Sequence, residues 1–324
     1  MKYKLLLVSL LVVTTFATVP TRSFERFSRT LTLTNHWAMA ALFWSNVLDL
    51  PATADQSAAS LAPEARTVGS AASKGDTQEE FRWQGRVQAG QTVEIKGVNG
   101  SVSAEGYGGN QVEVVANKRG RRSDTKGVEI RVVEHAGGVT ICAVYPSDDA
   151  SRPNDCQPGR AGHMNVRDND VEVNFVVKVP TGVGFSGRTV NGGVEAQGIG
   201  GDVEATTVNG DITIDASGIA RAKTVNGSIK AAMGSASWAN ELSFGTVNGS
   251  ITLDFPSALS TDVRAETLNG DLSFDFPMIT QSAQEGGRGR PKRVSATIGS
   301  GGRNLVLKTI NGDIRLRRGS DRAM

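Results

Sequence analysis

Few side chains in this sequence have a type and spacing that could do chemistry. Cys142 and Cys156 are its two cysteines. In an exported chain such an even, close pair reads as a disulfide, closing a loop that holds Tyr145-Pro146 and Pro153-Asn154; two unpaired thiols is the alternative. A cysteine metal site lacks partners, because His135 and His163 have no ligand spacing. Asp148, Asp149, Asn154, Asp155, Asp168, Asn169 and Asp170 are oxygen-rich enough for Ca²⁺. Their spacing fits no calcium loop, and solvated turns favour the same residues, so no metal is expected. Asp211, Asp271 and Asp313 recur at one place in a repeated phrase. Paired carboxylates on neighbouring coils could cleave a polysaccharide by acid–base catalysis. Along the chain Ser228 and Ser250 interrupt these acids, so a turn-stabilising Asp is the better reading. Lys118-Arg119-Gly120-Arg121-Arg122 and the run 288–293 (Arg288, Arg290, Lys292, Arg293) are basic. They could meet anionic glycans or lipid headgroups, although ordinary solvated loops carry such clusters too. No interleaved aromatics argue for nucleic acid. No Ser-His-Asp set, phosphate loop or dinucleotide fingerprint is visible, so neither catalytic residues nor a cofactor is expected.

The elements that would position these groups are set by a repeated phrase: Thr, aliphatic, Asn, Gly, a small or acidic residue, aliphatic. Its Asn residues are Asn191, Asn209, Asn226, Asn248, Asn269 and Asn311, with a partial early copy at Asn99. The steps are 18, 17, 22, 21 and 42 residues. The last is two steps long, and its spare length includes a polar excursion over 278–293. Upstream of each Asn one parity is inward, as in Val203, Ala205, Thr207, Asn209 and in Leu242, Phe244, Thr246, Asn248. Downstream the apolar parity restarts, as in Ile212 and Ile214. Each unit is therefore strand, Asn-Gly corner, strand, with Gly accepting the positive φ of a corner. An antiparallel meander is the default local reading of Asn-Gly between alternating runs. A stacked β-solenoid explains better why the same Thr and Asn recur, because equivalent residues would lie about 4.8 Å apart and Asn amides would form a ladder. The parity places both Thr and Asn inward.

The rest of the 324-residue chain divides around these repeats. Residues 1–54 hold a basic start, an apolar run and two small-residue cleavage signatures, ending at Ala17 and at Ala54, and read as an export signal. An uncleaved anchor is the alternative. With no cysteine before Cys142 a lipid attachment is not expected, and after export the chain should be periplasmic, cell-surface or secreted rather than integral to a membrane. Residues 55–80 read as a flexible linker. Residues 81–180 show irregular alternating strands suited to capping one end, and 183–318 hold the repeats, before a tail at 319–324. Arg315, Arg317, Arg318 and Arg322 would protect the last strand from edge pairing. Residues 1–54 carry a net +3 of the chain's +2, leaving −1 on 55–324, so charge makes no case for nucleic acid. Thirty-eight glycines and 6% aromatics suit tight turns and a slim core.

The Val179-Pro180-Thr181-Gly182-Val183 segment, the Asn-Gly units and the Gly-Gly lead-ins at Gly200-Gly201 and Gly301-Gly302 resemble the bacterial "putative adhesin" family of unknown function. The resemblance covers about 90–318. It implies an all-β protein, a right-handed β-solenoid with a less regular N-terminal cap region, on exported bacterial proteins. No catalytic residues come with it. The expected role is a non-enzymatic binding or envelope module whose partner would be a surface glycan or an envelope protein. The alternative is a carbohydrate-active β-helix enzyme.

Overall fold

The structure, a computed structural model, describes residues 77–287 and 289–319. The export segment, most of the linker, Arg288 and the tail from 320 onward lie outside the described residues. The described residues all belong to one compact unit.

Strands make up nearly all of it. The chain lays down β1 (Thr77–Gly85), β2 (Thr92–Lys96), β3 (Val102–Tyr107) and β4 (Val112–Gly120), then a short 3-10 turn at Thr125–Gly127. Next come β5 (Glu129–His135), β6 (Gly138–Val144) and β7 (Glu172–Pro180). The repeats follow in pairs: β8 (Gly184–Arg188) and β9 (Val194–Ile199), β10 (Val203–Thr206) and β11 (Ile212–Ala216), β12 (Ala220–Lys223) and β13 (Ile229–Met233). After them are β14 (Leu242–Gly245) and β15 (Ile251–Phe255), then β16 (Thr261–Thr267) and β17 (Leu272–Phe274). A hairpin of β18 (Met278–Gln284) and β19 (Lys292–Ile298) precedes the last pair, β20 (Asn304–Lys308) and β21 (Ile314–Arg318). Residues 77–80, assigned to the linker on sequence, are the first half of β1.

The pairs are coils of a β-solenoid-like fold. One strand of each pair joins an 11-stranded sheet and the other a 10-stranded sheet, and the Asn-Gly corner carries the chain between them. Within the stack the strands are parallel and in register, Ile212 beside Ile229 beside Ile251. The meander reading is therefore overturned for the repeats. Antiparallel pairing is confined to the ends, in β1–β4–β7, β5–β6 and β16–β19–β18. Alternation along each strand sends Val203, Ala205, Ile212 and Ile214 into one core shared by both sheets. Each fully buried Val or Ile contributes about 1.5–3 kcal/mol, which a chain poor in aromatics obtains by repetition.

The coils do not stack in chain order. β2 and β3 lie between β6–β7 on one side and β8–β9 on the other. At the far end, β20 lies between β14 and β16, and β21 between β15 and β17. The first and last coils of the chain both occupy inner slots, and the coils next to them in sequence close the ends. Arg315, Arg317 and Arg318 are thus on an inner strand and guard no edge; Arg317 holds Asp254 of the neighbouring coil with two bonds of 2.8 and 2.9 Å. The edges belong to β1 and β5, which carry charges, to the three-residue β17, and to the bulged β18.

Candidate functional site

Three stacked columns build the Asn-Gly corners, with the corner at Asn99 carrying Gly97 in place of the Thr. In the outer column, which runs Asn99, Asn191, Asn209, Asn226, Asn248, Asn311, Asn269, each Asn after Asn99 donates from Nδ2 to the Asn Oδ1 of the preceding coil at 2.7–2.8 Å. Asn191 through Asn311 are exposed and Asn99 is half-buried. The sequence parity had put Asn inward. The corner turns the chain between Thr and Asn, so alternation breaks there and the amide points out.

The inner column is Thr. The side chains of Thr189, Thr207, Thr224, Thr246, Thr267 and Thr309 are at most 5% exposed. Each Oγ1 donates to a corner Gly carbonyl of the adjoining coil at 2.8–3.0 Å. A buried hydroxyl would otherwise be costly, and here every one is satisfied. Between these columns the glycines meet backbone to backbone. A Cβ on Gly227 would lie 2.0 Å from the Gly210 carbonyl oxygen, and one on Gly249 2.0 Å from that of Gly227. Close approach, more than a positive φ, demands glycine there.

From Asp211 onward in the stack, the residue after the Gly forms a further link. Asp211 Oδ1 accepts the Ser228 N–H at 2.7 Å, Ser228 Oγ that of Ser250 at 3.2 Å, Ser250 Oγ that of Asp313 at 3.1 Å, and Asp313 Oδ1 that of Asp271 at 2.9 Å. The stacking order makes Asp313 and Asp271 neighbours, which their separation along the chain concealed. Neither is placed as an acid. Asp313 holds Arg315 at 2.6 Å, and Lys292 binds Asp271 at 2.6 Å and keeps its carboxyl below the usual range.

At the coil formed by β6 and β7 a long segment, 145–171, replaces the Asn-Gly corner. Cys142 and Cys156 are joined, with Cα atoms 5.8 Å apart. The oxygen-rich residues of this segment serve separate local bonds. The buried Asn154 amide donates to Tyr145 O at 3.0 Å and Asn165 O at 2.8 Å. The Asp170 carboxylate accepts the N–H groups of Ser123 and Arg122, which hold it to about 2. Among the described residues no group of three or more His, Cys, Asp or Glu could hold a metal ion.

Sequence reasoning missed a polar cluster under this segment. Glu94 and Thr140 are buried on the outer side of the 11-stranded sheet. Glu94 Oε2 accepts Thr140 Oγ1 at 2.9 Å and the Gly159 N–H at 2.8 Å. Arg188 Nε stands 3.2 Å from Glu94 Oε1, outside hydrogen-bond alignment, so charge holds that contact, while its Nη2 bonds Glu204 at 2.7 Å. Lys96 Nζ donates to Gln157 O and Ala161 O, and burial lowers its pKa. Outward charges on successive coils at Glu94, Arg188 and Glu204 were the available signal. His135 Nε2 meets Thr140 Oγ1 at 3.1 Å, and the cluster pins the segment.

The basic run behaves likewise. Lys118 is buried, donating to Val128 O at 3.0 Å and pairing with Glu79 at 2.9 Å. Arg293 pairs with Glu266 at 2.9 Å. Among the described residues no helix is long and apolar enough to cross a membrane.

Residues 49–317 match the profile of a family described as Toastrack DUF4097. No curated protein matches the chain. Among solved structures, a "putative cell adhesion protein" from Clostridium sporogenes is 11% identical, covering 75% of this chain and 100% of its own, with a TM-score of 0.39. A "putative adhesin" from Bacteroides fragilis is 12% identical, covering 74% and 97%, with a TM-score of 0.31.

Proposed function

The chain belongs to the Toastrack DUF4097 family, and we propose that it serves as an exported, non-enzymatic β-solenoid scaffold, an adhesin-like binding or envelope module. One observation carries this reading: the repeated corner residues are used in holding coils together, and the polar residues that differ from coil to coil point outward. Glu195, Thr213, Lys230, Thr252 and Arg315 form one such outward row, one residue per strand. Their spacing of about 4.8 Å offers charges and hydroxyls at a regular interval, a surface suited to a surface glycan or an extended envelope protein.

Export is supported by the disulfide, which persists in oxidising compartments, and by the signal pattern in residues 1–54. A right-handed coil is supported by the strong preference of parallel crossovers for that hand, and a capping role for 81–180 by the antiparallel strands beyond β7.

A second reading, a carbohydrate-active enzyme, has one observation in its favour, the adjacency of Asp271 and Asp313. A glycan array and a reducing-sugar assay on the purified chain separate the two. Binding lost in Lys230→Glu, with no sugar released, is the expected result. Sugar release abolished by Asp271→Asn would overturn the binding-only reading.

A further inference from the structure

Asn-Gly is the dipeptide in which a backbone nitrogen most readily attacks the preceding side-chain amide, since glycine leaves that nitrogen unhindered, and Asn is among the thermolabile residues. The chain repeats this dipeptide at seven exposed or half-buried corners. The stack protects six of them in two ways. From Gly100 to Gly312, each inner Gly N–H donates to the Asn carbonyl of the next coil at 2.8–2.9 Å. Each inner Asn Oδ1 also accepts an amide from the next coil. The attacking nitrogen and the attacked amide are both engaged.

The seventh corner has neither protection. Asn269 and Gly270 belong to the outermost coil; the β18–β19 hairpin packs beyond it against β16, but no further Asn-Gly corner faces them. Among the described residues nothing accepts the Gly270 N–H or donates to Asn269 Oδ1. The Asn269 amide keeps one tie, its Nδ2 to Asn311 Oδ1 at 2.7 Å.

We infer that Asn269 is a site of spontaneous deamidation and isoaspartate formation, selected by its place at the open end of the ladder. The Gly270 nitrogen loses its proton and attacks Asn269 Cγ. The new N–Cγ bond closes a five-membered imide as the Cγ–Nδ2 bond breaks, and Nδ2 leaves as ammonia with that proton. Water then opens the imide at either carbonyl, leaving aspartate or isoaspartate at position 269. The net reaction consumes one water, releases one ammonia and involves no redox partner. The product is also less well held: a carboxylate there has no proton to give Asn311 Oδ1, and the isoaspartyl form adds a methylene to the backbone of a tight corner.

The test is to incubate the full chain in warm, mildly alkaline buffer and map the seven corner peptides by mass over time, using an isoaspartyl methyltransferase to label the product. The Asn269 peptide should lead each of the others by about tenfold or more, because an inner corner must first break at least two hydrogen bonds. In denaturant all seven should react at comparable rates. Asn269→Gln should remove the early phase of ammonia release, since glutamine closes its larger ring far more slowly. An inner corner that keeps pace with Asn269 in the folded protein would overturn the inference. So would the same bias in denaturant, or an early ammonia phase that survives Asn269→Gln.

Discussion

Each coil turns twice, and its two turns are held by different physics. The Asn-Gly corner is the same in every repeat: an exposed amide column, a glycine stack and a buried Thr column. The opposite turns span three to eight residues, at 181–183, 200–202, 217–219, 234–241, 256–260 and 275–277. They use whatever the local segment supplies. Asp202 Oδ1 accepts the Ile219 N–H at 3.0 Å. In the longest, Trp238 plugs the core with its ring 5.9 Å from Phe255 and its indole N–H on Asn304 O at 3.3 Å. One corner therefore fixes the spacing of the stack, and the other is free to vary in length.

The strongest test of this contrast is a methyl group added to each turn. Gly227→Ala places a Cβ 2.0 Å from a backbone oxygen that cannot move without separating two coils, and should cost about 3 kcal/mol or more in urea unfolding. Gly198→Ala, in the bulge at the end of β9 just before the opposite turn at 200–202, has a φ of +60° and open space around its Cβ, and should cost only about 1 kcal/mol. Equal losses would remove the distinction.

The disulfide gives the next largest effect. The coil of β6 and β7 lacks the Asn-Gly corner and carries the chain's one crosslink in its place. Cys142→Ser with Cys156→Ser should lower stability by about 3 kcal/mol, the loop-closure value for a ring of this size. An unchanged urea midpoint would show that the Glu94 and Asn154 bonds hold the segment unaided. Smallest is the amide ladder. Asn226→Ala removes one donated and one accepted bond. It should cost about 1 kcal/mol, against about 0.5 or less for Gln284→Ala on the exposed edge strand β18. A ladder loss no larger than the edge loss would reduce the Asn column to ornament.

The strands and their corners were legible because alternation and the repeated phrase are local signals. The direction of the Asn side chain was not, since parity counting assumes a straight strand and the corner breaks it between Thr224 and Asn226. The order of the coils was hidden by the same regularity that revealed them. Identical corners fit any neighbour equally well, so nothing near Asn311 announces that it lies between Asn248 and Asn269. The Glu94 cluster was hidden for the opposite reason: its outward charges read as solvated until segment 145–171 covers them.

The inner position of the last coil also sets how the stack bears load. A terminal strand pulled from its end peels away, breaking its hydrogen bonds one after another. Tension applied at Gly319 acts on β21, which is bonded to β15 on one side and β17 on the other. It must shear two parallel ladders together, with Arg317 clamped to Asp254 across one of them. By returning its final coil to an inner slot, the chain gives its last described strand the mechanical resistance of the interior.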